Sequence, residues 1–177
     1  NIDNTGWKIY SNEMFSFENK EGFRIIQYYS IDKIPNTETN NRYEFFIDST
    51  PPITTAELRD ANGNPRGLTP TNLAGTGFTL QLMGTDPVSG GVSSGIKKVE
   101  YRINSGIWIK YTQPVSIDNF PEGQTLFFYR SIDNVMNISG EKNIYIEKDT
   151  EPPVSIIMSP CDGDIINSSF PIFVNVI

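Results

Sequence analysis

The chain has 177 residues, with 14 Lys and Arg against 21 Asp and Glu, a net charge of −7, one cysteine and no histidine. That balance opposes tight nucleic-acid binding, which rests on cationic side chains meeting phosphates, and opposes adsorption to an anionic membrane surface. A single cysteine excludes an intrachain disulfide framework, and the lack of histidine excludes a Ser-His-Asp or Cys-His device and the common His-bearing zinc sites within this chain.

In chain order, the pattern is β throughout. Phe78, Leu80 and Leu82 alternate with Thr79, Gln81 and Met83, and Val99, Tyr101 and Ile103 alternate with Lys98, Glu100 and Arg102. Period two with one apolar face predicts strands half buried in a sandwich. The run 124–132 is denser, with Phe127, Tyr129 and Ser131 on one side and Leu126, Phe128 and Arg130 on the other, which predicts a central strand. Ile144 and Ile146 alternate with Tyr145 and Glu147. Turn residues fall between these runs: Asn62-Gly63, Asn64-Pro65, Asp86-Pro87, the Ser- and Gly-rich stretch 89–95, and Asn104-Ser105-Gly106. The spacing predicts an antiparallel sandwich of about seven strands. No segment has a sustained helical period, and none approaches the roughly 20 apolar residues of a membrane span.

The chain also repeats itself. Residues 7–52 reappear as 108–153 at a constant separation of 101, with Trp7/Trp108, Tyr10/Tyr111, Glu21/Glu122, Gly22/Gly123, Tyr28/Tyr129, Asp32/Asp133, Asn36/Asn137 and Asp48/Asp149 matching. Both copies end on a Pro-Pro pair, Pro51-Pro52 and Pro152-Pro153, which cannot donate ladder hydrogen bonds and so suit stiff borders. A period near 100 residues suits a row of whole domains. The expected division is 1–50 as the C-terminal part of one domain, 51–152 as a complete domain, and 153–177 as the first strands of another. Residues 1–5 align with 102–106, late in a predicted strand, and 170–177 resembles the strand 78–85, so the chain is expected to be a window cut from a longer sequence.

These motifs carry a resemblance. Ser94-Gly95-Ile96, Val99-Glu100-Tyr101, Trp108-Ile109-Lys110-Tyr111, Glu122-Gly123, Tyr129-Arg130-Ser131-Ile132-Asp133 through Asn137, and Asp149-Thr150-Glu151-Pro152-Pro153 resemble the bacterial Ig-like repeats of surface and secreted proteins. The nearest form is the type in spirochaetal outer-membrane repeat proteins. The chain departs from that pattern at Ser30 and Ser131, where Ala is usual, at Pro35 and Met136, where Gly is usual, and in the extra loop 87–94. The resemblance implies all-β, tandem immunoglobulin-like antiparallel β-sandwiches with a surface-exposed spacer, adhesive or array-forming role and no catalytic residues. It implies an extracellular or cell-surface location, with neighbouring Ig-like domains or copies of the chain as partners.

Calcium is the site hypothesis the residues raise. Ca²⁺ takes six to eight oxygens from carboxylates, amides and carbonyls. The borders offer Asp48 with Ser49 and Thr50, and Asp149 with Thr150 and Glu151. Asp133, Asn134 and Asn137 are expected to converge on one end of the sandwich, joined by Asp162 or Asp164 from the next domain. The candidate ligands are Asp133, Asn134, Asp149, Glu151 and Asp162; the plainer reading makes them turn residues and solvated ends. The Trp7/Tyr10 and Trp108/Tyr111 pairs are expected to cover the core edge, while the same rings could stack against surface glycans. Such stacking would make the chain a carbohydrate-binding accessory module of a secreted enzyme, the alternative to a spacer. A catalytic fragment would need a cleft with paired carboxylates of perturbed pKa. Asp32 and Asp133 lie one domain period apart and so do not form such a pair.

Overall fold

The computed structural model describes residues 1–18 and 20–176. Ile177, the last residue of the expected strand 170–177, lies outside the described residues. Among them the chain is all-β. Its strands are β1 Gly22–Tyr28, β2 Asn41–Ile47, β3 Ile53–Arg59, β4 Pro65–Arg66, β5 Thr71–Ala74, β6 Thr79–Thr85, β7 Ile96–Ile103, β8 Ile109–Lys110, β9 Val115–Ser116, β10 Gly123–Asp133, β11 Lys142–Lys148, β12 Ser155–Ser159 and β13 Phe173–Val176. The helical element among the described residues is a single 3-10 turn, Ile117–Asn119, capped by Ser116.

Strands β3 to β11 make two sheets that face each other. One has the order β5-β11-β10-β7-β8 and the other β4-β3-β6-β9. Alternation explains the arrangement. Leu58 of β3, Leu80 and Leu82 of β6, Phe127 and Tyr129 of β10 and Ile146 of β11 are buried between the sheets, with Val99, Tyr101 and Ile103 of β7 against them. Phe127 is fully buried and stacks with Tyr101 at a centroid distance of 5.3 Å and with Phe120 at 6.1 Å. Burying a side chain of that size stabilises the fold by about 2–3 kcal/mol. The dense run 124–132 is central, with β11 on one side and β7 on the other. One pairing departs from the antiparallel expectation: β5 runs parallel to β11, with Thr71 opposite Tyr145 and Ala74 opposite Lys148. The chain leaves the four-stranded sheet after β4 and crosses to the edge of the other sheet, where the side chain of Asn72 donates to the Tyr145 carbonyl at 2.9 Å.

On either side of this sandwich stands a two-stranded sheet. β1 and β2 pair with Gly22 opposite Ile47 and Tyr28 opposite Asn41. At a separation of 101, β10 and β11 pair with Gly123 opposite Lys148 and Tyr129 opposite Lys142. The loops correspond as well. The Asn36 N–H donates to Asp32 Oδ1 at 3.0 Å and the Asn137 N–H to Asp133 Oδ1 at 2.8 Å. The Ile25 N–H donates to Asp3 Oδ1 and the Leu126 N–H to Asn104 Oδ1, both at 3.0 Å. Past the second Pro-Pro pair, β12 and β13 place Ser155 opposite Val176 and Ile157 opposite Val174, as β3 and β6 place Thr54 opposite Gly84 and Ala56 opposite Leu82.

Candidate cation site at the first border

The Pro51-Pro52 border is packed, and the extra loop 87–94 packs it. Ser89 and Val92 exchange backbone hydrogen bonds of 2.9 Å around Gly90 and Gly91, both at positive φ. This hairpin reaches the first segment, where a Cβ on Gly22 would sit 2.3 Å from the Gly90 carbonyl oxygen. Asp48, just beyond β2, accepts a 2.7 Å hydrogen bond from the Ser94 N–H at Oδ2 and one from the Thr50 N–H at Oδ1. Its carbonyl accepts from the Asn137 side chain at 3.1 Å. Burial opposes ionisation of Asp48, but the Ser94 and Thr50 donors prevail and hold its carboxyl below the ordinary carboxylate value.

Two further carboxylates meet Asp48 there. Asp86, just beyond β6, accepts from the Gly95 N–H at 2.7 Å and the Ser93 hydroxyl at 2.9 Å, both at Oδ2. Its Oδ1 is buried and has no hydrogen-bond partner. Asp133, the last residue of β10, is fully buried and accepts from the N–H groups of Val135 and Asn137 and from the Asn137 side chain. One carboxylate oxygen from each of Asp48, Asp86 and Asp133 lies within 4.8 Å of the other two. Among the described residues, no Lys or Arg forms a salt bridge to any of the three. The donor set is oxygen only, which suits a hard cation of the calcium type.

The structure divides the ligand set expected from sequence. Asp133 and Asn134 lie at this border, and the Asn134 side chain donates to the Ser94 and Gly95 carbonyls. Asp149 and Glu151 lie at the other end of the sandwich, because Lys148 pairs with Gly123 at the start of the eleven-residue β10 whereas Asp133 ends it. At ~3.3 Å per residue these ends are roughly 30 Å apart. Asp149 accepts from the Glu151 N–H at 3.1 Å, closing a local turn. Asp162 is exposed in the turn that Asp164 closes on the Cys161 N–H. The five residues therefore do not share a site. Asp86 was legible only as a turn residue before Pro87, and Asp48 only as a border oxygen.

The tryptophans also differ from the expectation of a core edge. Trp108 lies on the outer face of the five-stranded sheet, with the Arg130 guanidinium 4.0 Å from its ring centroid and that of Arg102 at 5.3 Å. Arg102 also covers Phe128 at 3.9 Å, and Arg130 is anchored at 2.6 Å to Glu100. Trp7 packs edge-on against Tyr29 at 4.5 Å and stays half exposed. Tyr29 and Arg130 are one repeat apart, so the two indoles meet different neighbours at equivalent positions.

A shallow cleft of about 790 Å³ lies along Thr55, Glu57, Arg59, Gln81 and Met83 on the four-stranded sheet. Among the described residues no helix is long and apolar enough to cross a membrane. Comparison with protein-family models, with curated proteins and with solved structures finds no match to this chain.

Proposed function

We propose that this chain is a row of immunoglobulin-like modules, with 51–152 as the complete one, acting outside the cell as a non-catalytic spacer, adhesive stalk or surface-assembly element. The observation that carries this reading is the strand pairing that returns at a separation of 101 on both sides of a Pro-Pro border. Strand order favours the Ig-like form: β7, β10 and β11 stand together against β3, β6 and β9, as the C, F and G strands stand against A, B and E in that fold. The packed border supports a mechanical role. The loop 87–94 seats the first segment on the sandwich, so force along the row is passed through Gly22–Gly90 and Asp48–Ser94 contacts as well as through the proline linker. Small-angle scattering is the test. A particle elongated along the row is expected, and a compact globule would overturn the reading.

The carbohydrate-binding alternative gains less from the geometry. A sugar platform needs an open ring face, and Arg130 lies over that of Trp108. Lateral contacts between copies have a natural place at β12 and β13, where Ile156, Ile157, Val174 and Val176 are exposed.

A further inference from the structure

We infer that the chain associates head to tail: β12–β13 of one copy covers the open face of β1–β2 in a second copy, as the β3–β6 pair covers β10–β11 within the sandwich. The repeat makes the two terminal sheets complementary halves. β1 and β2 take the places of β10 and β11 at a separation of 101. β12 takes the place of β3 at the same separation, and β13 pairs with β12 as β6 pairs with β3. In the complete module the two halves are pressed together, and Tyr111, Val115, Tyr129 and Ile144 pack in the core between them. The residues 101 positions earlier are Tyr10, Met14, Tyr28 and Tyr43, and all four are exposed. Tyr129 is 6% exposed, whereas Tyr28 is 55% exposed. Tyr28 and Tyr43 share one face of β1–β2, because Tyr28 is opposite Asn41 and Ile26 is opposite Tyr43. Phe17 packs edge-on against Phe45 on that face at 5.1 Å and leaves the tyrosine end open. Arg24, at the place of Thr125, has its charge partnered by Asp3.

The other half is open too. Ile157, Val174 and Val176 share one face of β12–β13, at the places where Ala56, Leu82 and Gly84 face the core, and all three are exposed. At roughly 150–250 Å² per large side chain, the exposed parts of these seven residues come to about 900 Å². The main-chain and polar atoms between them bring the contact towards the about 1,200 Å² at which specific interfaces begin, so a reversible association is expected. The two halves of one chain do not meet, because they flank the sandwich at ends roughly 30 Å apart. A contact between two unlike surfaces does not close on itself in a dimer and continues into an open row or a ring. The inference names the partner for the surface-assembly reading, and it rests on that reading for the equivalence of the modules.

The test is sedimentation velocity of the whole 177-residue chain over a concentration series. Association with a dissociation constant between about 1 μM and about 1 mM is expected. Tyr28→Glu and Ile157→Glu each disable one of the two faces and should leave the chain monomeric throughout. An equimolar mixture of the two variants keeps one intact face of each kind and should form dimers and nothing larger. Phe46→Glu, on the opposite face of β1–β2, should associate like the parent. Circular dichroism establishes that each variant is folded; Tyr43→Glu and Val174→Glu replace any that is not. A parent that stays monomeric at about 1 mM would overturn the inference. So would association that survives Tyr28→Glu, which would place the contact between like β12–β13 sheets, or a variant mixture that fails to dimerise. Scattering from the dilute monomer separates the two proposals: an elongated monomer that does not associate removes the head-to-tail contact and leaves the spacer, while a compact monomer removes the spacer.

Discussion

Gly22 and Gly90 meet backbone to backbone: no side chain fits between them, since a Cβ on Gly22 would stand 2.3 Å from the Gly90 oxygen. Gly22 also has φ +87°, and its counterpart Gly123 has φ +80° with open space around it. Gly22→Ala and Gly123→Ala should therefore share the cost of an L residue at positive φ, about 1–2 kcal/mol. Only Gly22→Ala also forces the loop 87–94 away from the border. The Ser94 amide, bonded to Asp48, is expected to exchange with deuterium faster in Gly22→Ala and at the parent rate in Gly123→Ala. Equal rates in the two variants would show that the contact does not hold the border.

Two buried threonines should respond in opposite directions. The Thr54 hydroxyl lies 2.7 Å from that of Ser131 and 3.0 Å from that of Ser139, and the Ser131 N–H donates to the Ser139 hydroxyl. Thr54→Val leaves two buried hydroxyls short of a partner and is expected to cost about 1–3 kcal/mol. Thr125 is equally buried, and its hydroxyl has no hydrogen-bond partner. Thr125→Val removes an unsatisfied group and favours the strand, with an expected gain of about 1 kcal/mol. Denaturant titration of both variants checks the pair.

Glu100 gives a pH dependence with a defined sign. It is only 3% exposed on the outer face of the sheet, and Lys98 and Arg130 bind its two oxygens. Burial opposes its ionisation, but the hydrogen bonds from Lys98 and Arg130 outweigh burial and hold the carboxyl below its ordinary value of 4.5. A carboxyl depressed in the folded state contributes stability that is complete above the unfolded value and lost as pH falls through the lower, folded value. The parent should therefore lose stability below about pH 4.5. Glu100→Gln is expected to cost about 2 kcal/mol at pH 7 and to flatten that acid limb. Melting temperatures between pH 7 and pH 3 measure both effects, and parallel curves for the two proteins would count against the assignment.

Trp108 separates the spacer from the accessory-module alternative. Its ring is engaged by two guanidiniums, so Trp108→Ala is expected to cost about 1–2 kcal/mol in stability without unfolding the sandwich. Adding soluble oligosaccharides to the parent is expected to leave tryptophan fluorescence unchanged. A saturable change that vanishes in Trp108→Ala would move the assignment to carbohydrate binding.

What was readable in one dimension was local. The alternation of Phe127 and Tyr129 with Phe128 and Arg130 placed the faces of β10 correctly, and Asn104 and Gly106 marked the turn between β7 and β8. The repeat anticipated the pairing of β1 with β2, since equal side chains at equal spacing meet the same steric and hydrogen-bonding choices. The parallel edge strand β5 was missed because a short polar segment carries no mark of the strand it will join. Trp108 was misplaced because an indole is apolar enough for a core, and only the proximity of Arg102 and Arg130 makes the outer face as favourable.

The amino-acid order by itself determined the all-β character, the strand faces and the recurrence every 101 residues, because side-chain alternation and turn chemistry act over a few neighbouring residues. Only the tertiary structure decided which acidic residues meet. Asp133 and Asp149 are 16 positions apart in the chain and stand at opposite ends of the sandwich, while Asp48 and Asp133 are 85 apart and share a border. Strand direction and the path of the loop 87–94 set those distances, and both are consequences of how the sheets pair and pack rather than of any local stretch of sequence.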